Sequence, residues 1–86
     1  MPSSKIPQNQ TEFTCLFPNA KRLPEFDSKT LQTYQTDEFI WMFDKADGHL
    51  AYIYSFRVNM AIYECDGIKA GRRIVTDFLK QLQVTT

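Results

Sequence analysis

The sequence predicts an α+β domain, in which a C-terminal helix packs on one face of an antiparallel sheet of three or four strands. Two observations lead to this fold. Apolar and aromatic residues alternate on both sides of a turn at residues 45–48, which is the period-two pattern of a half-buried hairpin. From Ile68 onward, apolar residues recur at spacings of three and four, which is typical of an amphipathic helix.

The hairpin is predicted in one register. A four-residue loop that pairs Asp44 with His49 brings three aromatic or aliphatic pairs onto one face of the sheet. These pairs are Phe43 with Leu50, Trp41 with Tyr52, and Phe39 with Tyr54. A shift by one residue would turn every ring to the other face, so the aromatic set should specify this register.

The segments before the hairpin give weaker signals. Alternation of Phe13, Cys15 and Phe17 predicts a short strand over residues 12–17, ended by Pro18. A short helix capped by Asp27 or Ser28 is expected to run through residue 34. Residues 1–11 are rich in proline, serine and amides, and are expected to form a flexible tail before a single domain at residues 12–86.

After the hairpin, a single strand over residues 50–62 would be far longer than usual, so a bend, a bulge or a new strand is expected near Asn59. The C-terminal helix is predicted over residues 68–83, with Asp66 as its N-cap. The predicted core combines aromatic strand residues with the apolar helix stripe. Its members are Phe39, Trp41, Phe43, Tyr52, Tyr54, Phe56, Val75, Phe78 and Leu82.

Composition limits the classes of function. Ten basic and ten acidic residues leave no net charge to attract nucleic acid or an anionic membrane over a distance. No apolar run is long enough to span a membrane. Cys15 and Cys65 lie far apart, without the cysteine density of a disulfide scaffold or a secretory signal, and this indicates reduced thiols in a cytoplasmic protein.

The residues that catalysis or metal binding would need are scarce. A single histidine and two distant cysteines do not provide the ligands of a zinc site, and Asp47-Gly48 is better explained by turn chemistry than by calcium binding. A nucleophilic pair of His49 with Cys15 or Cys65 is conceivable, but no oxyanion loop accompanies it. The sequence therefore predicts a protein that is not an enzyme and has no cofactor or metal.

The preferred interpretation is a small interaction module that binds a protein partner, or itself as a homodimer. One helix covers only one face of a sheet, so the other face or an edge strand is expected to form the interface. The outer-face residues assigned to it are Glu38, Ile40, Met42, Ile53, Ser55 and Arg57. The alternative is that the N-terminal segment covers this face.

Two further hypotheses come from other classes of function. A weak binder of single-stranded nucleic acid would use a basic helix face with a neighbouring arginine, namely Arg57, Lys69, Arg72 and Arg73. A small-ligand binder would have a pocket between helix and sheet, lined by the hydroxyl groups of Tyr52 and Tyr54.

Overall fold

The computed structural model describes residues 6–65 and 69–84. The chain forms an antiparallel sheet of five strands in chain order, β1-β2-β3-β4-β5, preceded by helix α1 and followed by helix α2. The bounds are α1 Gln10–Leu16, β1 Lys21–Arg22, a 3-10 turn Pro24–Phe26, β2 Leu31–Gln35, β3 Phe39–Asp44, β4 Leu50–Ser55, β5 Met60–Glu64 and α2 Lys69–Val84. The predicted α+β class is therefore confirmed, with five strands instead of three or four.

Helix α2 covers one face of the sheet, as its apolar periodicity predicts. Its inner residues Ile74, Val75 and Phe78 are buried against the central strands. The Phe78 ring makes an edge contact with the Phe26 ring of the 3-10 turn at a centroid distance of 5.3 Å. We call this side of the core the α2 layer; its strand and loop residues are Leu23, Phe26, Leu31, Ile40, Met42, Ala51, Tyr52 and Tyr54.

Helix α1 covers the opposite face and replaces the strand expected over residues 12–17. Asn9 caps the helix, because its Oδ1 accepts a hydrogen bond of 2.9 Å from the Glu12 backbone N–H. The spacing of Phe13 and Phe17 suits a strand face, but it is also the i, i+4 spacing of a helix, and their rings lie 5.3 Å apart. The second half of the core, which we call the α1 layer, consists of Phe13, Trp41, Phe43, Leu50 and Ile53.

The predicted hairpin register is wrong beyond its first pair. Phe43 does lie opposite Leu50, but Trp41 lies opposite Ile53 and Tyr52 lies opposite Met42. A β-bulge causes the shift, because Ala51 is an extra residue on β4 between two paired positions. Tyr52 and Tyr54 consequently face α2, whereas Trp41 and Phe43 face α1.

The helix expected to end at Tyr34 is strand β2. Ser28 does not cap a helix here; its Oγ accepts the backbone N–H groups of Thr30 and Leu31 in a tight turn. The Thr33 side chain is fully buried and donates a hydrogen bond of 2.9 Å to the Phe26 carbonyl. β-Branched threonines and pairing with β3 together outweigh the weak helical signal.

The break expected near Asn59 is confirmed. Asn59 has a φ of 57°, in the left-handed region that asparagine tolerates, and the new strand β5 begins at the next residue. Helix α2 follows its predicted bounds closely, while Asp66 and Ile68 lie outside the described residues. Two details of the predicted core differ: Leu82 is 48% exposed, and Phe39 and Phe56 are only half-buried.

The ordered domain begins before residue 12. The Gln8 carbonyl accepts a hydrogen bond of 2.9 Å from the Leu50 N–H, and the Gln10 N–H donates to the Gly48 carbonyl at 2.8 Å. Pro7 is already buried. The flexible tail expected over residues 1–11 therefore does not extend to residue 11; residues 1–5 of it lie outside the described part. None of the helices described has the length and apolarity that crossing a membrane requires.

Candidate interaction surface

The predicted outer face of the sheet is not a surface. Ile40 and Met42 are fully buried beneath α2, whereas Ile53 is buried beneath α1 on the opposite side. Ser55 is buried as well, and Glu38 and Arg57 are exposed in the turns at the end of the sheet. The bulge at Ala51 and the unexpected helix α1 account for this result. The six residues do not form a common exposed patch.

The outermost strand β5 is the exposed apolar feature of the sheet. Within the described residues it pairs only with β4, so its other side is an unpaired edge. Four large apolar side chains of this strand and the turn before it are exposed. They are Val58 at 54%, Met60 at 59%, Ile62 at 51% and Tyr63 at 37%, and we call this set the β5 edge.

The two sides of β5 have different environments. Ala61 lies opposite Tyr54 and packs against the α2 layer. Glu64, opposite Tyr52, accepts hydrogen bonds from Nε and Nη2 of Arg72 on α2, at 3.0 and 3.2 Å. These contacts hold β5 to α2 on one side of the sheet.

On the α1 side, β5 is left uncovered. Tyr63 lies opposite Ile53 and Met60 lies opposite Ser55, so both are placed on the face that α1 covers further along the sheet. Ile62 is the extra residue of a second bulge, between the pairs made by Ala61 and Tyr63. Because the buried residues of the α1 layer come from α1, β3 and β4, the apolar side chains of β5 lie beyond its cover.

The opposite edge of the sheet is short and charged. Strand β1 has only two residues, Lys21 and Arg22, and both are exposed. Arg22 is held by two hydrogen bonds to Asp27 and lies over the Tyr34 ring at 5.3 Å. A short edge with cationic side chains is a common protection against pairing with other chains; β5 is longer and has no lysine or proline, although it contains the bulge at Ile62.

Two open grooves have linings that include no residue of β5. One has a volume of about 750 Å³ and runs between the end of α1 and the β2–β3 turn, with Leu16, Phe17, Phe39 and Glu38 among its lining residues; we call it the Leu16–Phe39 groove. Tyr52 and Tyr54 are buried in the α2 layer and line neither groove. Neither groove is therefore the pocket expected between helix and sheet at their hydroxyl groups. Burial raises the pKa of Tyr52.

The second groove, of about 590 Å³, brings Cys15 and His49 to one surface. His49 Nδ1 lies 3.1 Å from Asp47 Oδ2, and the hydrogen bond from the His49 backbone N–H lowers the pKa of Asp47. Neither Cys15 nor Cys65 forms a disulfide, and the Cys65 thiol donates to the Leu50 carbonyl at 3.6 Å. In the part of the chain described, no three histidine, cysteine or acidic side chains are grouped to hold a metal ion.

The predicted basic set does not act as a uniform patch. Lys69, Arg72 and Arg73 are exposed in the first turns of α2, and Arg57 belongs to the turn between β4 and β5. Arg72 is engaged by Glu64, and this hydrogen bonding raises the pKa of the guanidinium. One of the four cations is thus partly neutralised by the neighbouring strand.

Most of the β5 edge was missed as a binding candidate in the sequence, because its residues read as an extension of the hairpin strand. The available signal was an uncharged run from residue 58 to residue 63 without lysine or proline, following an expected break. Comparison with known proteins adds no further candidate: no family model, no curated protein and no solved structure matches this chain.

Proposed function

We propose that this protein is a non-catalytic interaction module that binds an extended protein segment along β5. The observation that carries the proposal is the coincidence of an unpaired strand edge with four exposed apolar side chains on the same strand and its preceding turn. Unpaired N–H and C=O groups supply hydrogen bonds to an added strand, and side chains beside them supply selectivity. The free thiols and the lack of a disulfide support a cytoplasmic location.

The contacts of β5 with the rest of the domain favour its use as a binding site. Ala61 packs on the α2 layer and four residues of β5 pair with β4, so the strand is already formed before a partner arrives. An ordered edge reduces the entropy that binding must overcome. Met60 and Tyr63 on the uncovered α1 side would then contact alternate side chains of the added strand.

A peptide selection tests the proposal directly. Octapeptides from a random phage-displayed library are selected on the immobilised protein, and the strongest are titrated into ¹⁵N-labelled protein. We expect amide shifts concentrated at residues 58–65. The variant Ile62→Lys should abolish these shifts, because it places an unpaired lysine at the edge.

The matched control is Leu16→Lys. Leu16 is 54% exposed, close to the 51% of Ile62, but it belongs to α1 and lines the Leu16–Phe39 groove, which includes no residue of the β5 edge. This variant should bind the selected peptides like the wild type. A selection that gives no binder, or peptides whose shifts lie in the Leu16–Phe39 groove and disappear with Leu16→Lys, would contradict the proposed function.

A further inference from the structure

We infer that the segment bound along β5 is β5 of a second copy of this chain, in antiparallel orientation, so that two five-stranded sheets join into one continuous sheet. This inference rests on the proposed function, because it names the occupant of the same edge. The two copies would be related by a two-fold axis that lies between the two β5 strands, level with the middle of each, and both copies would use the same surface.

The charges at the two ends of β5 favour this arrangement. In residues 57–64 the only charged side chains are Arg57, in the turn before the strand, and Glu64, its last residue. Antiparallel pairing brings the Arg57 end of each copy to the Glu64 end of the other. Parallel pairing would place Arg57 beside Arg57 and Glu64 beside Glu64, which is unfavourable.

The apolar residues between these two ends would also contact the same residues of the second copy. Met60 and Tyr63 of each copy lie on the uncovered α1 side, so antiparallel pairing places both sets in one strip beside the axis. This strip would cover apolar surface that neither copy covers alone. Glu64 is already bonded to Arg72 of its own chain, so in the antiparallel pair it would contact Arg57 of the second copy in addition to Arg72.

The other edge of the sheet restricts the assembly to two copies. Strand β1 offers two residues for pairing, both cationic, and Arg22 is already bonded to Asp27. Pairing of β5 with β1 of the next copy would generate an open array, and the short cationic edge opposes it. Pairing of β5 with β5 gives a closed pair, and pairing of β1 with β1 is opposed by the charge and shortness of that strand.

The size of the contact predicts a weak dimer. The contact would bury one strand edge and the exposed part, about half, of four apolar side chains on each copy. The buried area would be at the small end of the areas found in specific protein–protein interfaces. We therefore expect reversible association that depends on protein concentration, with monomers dominant in dilute solution.

Sedimentation velocity from micromolar to millimolar concentration measures this association. A monomer–dimer equilibrium is expected for the wild type, with a Kd raised at least about tenfold by Ile62→Lys and unchanged by Leu16→Lys. Circular dichroism of each variant verifies that it is folded. Isotope-filtered NOEs in a mixture of labelled and unlabelled protein should connect β5 of one copy with β5 of the other.

A charge exchange tests the orientation. Arg57→Glu should weaken self-association, because it puts like charges together at both ends of the pair. Glu64→Lys should weaken it for the same reason, and because it also removes the contact with Arg72 of its own chain, circular dichroism must show that this variant is folded. Mixing the two variants should restore a heterodimer about as tight as the wild type. A heterodimer clearly tighter than the wild type would indicate parallel pairing and overturn the inference, as would a mixture that fails to associate.

Two other results also overturn it: a wild-type monomer at millimolar concentration, or a dimer that Leu16→Lys disrupts and Ile62→Lys does not. These results are distinguishable from failure of the proposed function. If the protein is monomeric and selected peptides still bind at residues 58–65, the module stands and only its occupant is wrong. If no peptide binds there either, both proposals fail.

Discussion

The Asp27 carboxylate and the Arg22 guanidinium are joined by two hydrogen bonds of 2.7 Å each. Asp27 Oδ1 also accepts the Thr33 backbone N–H at 3.0 Å, and Lys45 Nζ lies 3.8 Å from Oδ2. A single carboxylate thereby connects β1, the end of the 3-10 turn and β2. Besides its pairing with β2, the short edge strand β1 is thus held by this side chain through Arg22.

Asp27→Asn should destabilise the protein by about 1–3 kcal/mol, because the amide cannot replace a charge-assisted pair of hydrogen bonds. The measurement is urea denaturation at neutral pH. The control is Asp37→Asn in the exposed β2–β3 turn, which should change the free energy of unfolding by less than about 0.5 kcal/mol. Equal effects of the two substitutions would show that the Arg22 contact contributes nothing.

The same carboxylate should make stability depend on pH in the acid range. Burial alone would raise the pKa of Asp27, but hydrogen bonds from Arg22 and Thr33 outweigh burial and lower it. A group with a lowered pKa in the folded state stabilises the protein above its unfolded pKa, near 3.9, and this contribution is lost as pH falls through the folded value. Between about pH 5 and pH 2, the wild type should therefore lose more stability than Asp27→Asn. Parallel losses would contradict this.

Phe13→Ala should cost about 3–5 kcal/mol, comparable with the whole stability of a small domain. Phe13 is 1% exposed, and its ring lies within 5.3 Å of the rings of Phe17, Tyr34, Trp41 and Phe43. Thermal unfolding and the emission of the single tryptophan give the readout. Loss of the α1 layer should shift that emission to longer wavelength, whereas Leu16→Ala on the exposed side of α1 should not.

Substitutions at Asn59 should report on its backbone conformation. Asn59→Gly should leave stability almost unchanged, because glycine adopts a φ of 57° without strain. Asn59→Val should destabilise by about 1–2 kcal/mol, because a β-branched residue is strained there. Denaturation of both variants measures the difference. A valine variant as stable as the glycine variant would mean that the turn readily adopts another conformation.

Arg72 and Glu64 should be coupled only weakly. The Arg72 side chain is 70% exposed, and ion pairs between exposed side chains contribute little because water and salt screen them. A double-mutant cycle with Arg72→Ala and Glu64→Ala should therefore show a coupling close to the error of the measurement, declining with added salt. A larger coupling that resists salt would show that the pair is more shielded from solvent than this exposure indicates.

Secondary structure that rests on long periodic patterns could be predicted from the sequence. The two hairpin strands and helix α2 are each long enough for their apolar periodicity to identify the type of element, although not the register of the hairpin. The break at Asn59 followed from the length that an unbroken strand would have had. Helix α1 has seven residues, and at that length Phe13 and Phe17 satisfy a strand and a helix equally well. Its N-cap, Asn9, fell within the segment assigned to the tail.

The candidate interface could be predicted only in kind. An edge strand was among the expected interfaces, but the residues assigned to the outer face became core once α1 covered it. Which residues of a strand are exposed depends on strand order and register, and both are tertiary properties. Ile53 and Ile62 look alike in sequence, yet one is fully buried and the other half-exposed.

The extra residue Ala51 is the whole difference between the observed bulged hairpin and a regular one. Without Ala51, residues Leu50, Ile53 and Ser55 would alternate regularly with Tyr52 and Tyr54, so a deletion of one codon would remove the bulge. Ala51 has a small side chain and lies in the α2 layer, where a larger one would compete for volume with Tyr52. Loss of Ala51 would keep Leu50 and Ile53 in the α1 layer and Tyr52 and Tyr54 in the α2 layer, whereas loss of one residue within β3 would exchange the faces of the residues on one side of it. Position 51 is therefore where β4 can lose a residue without exchanging its two faces.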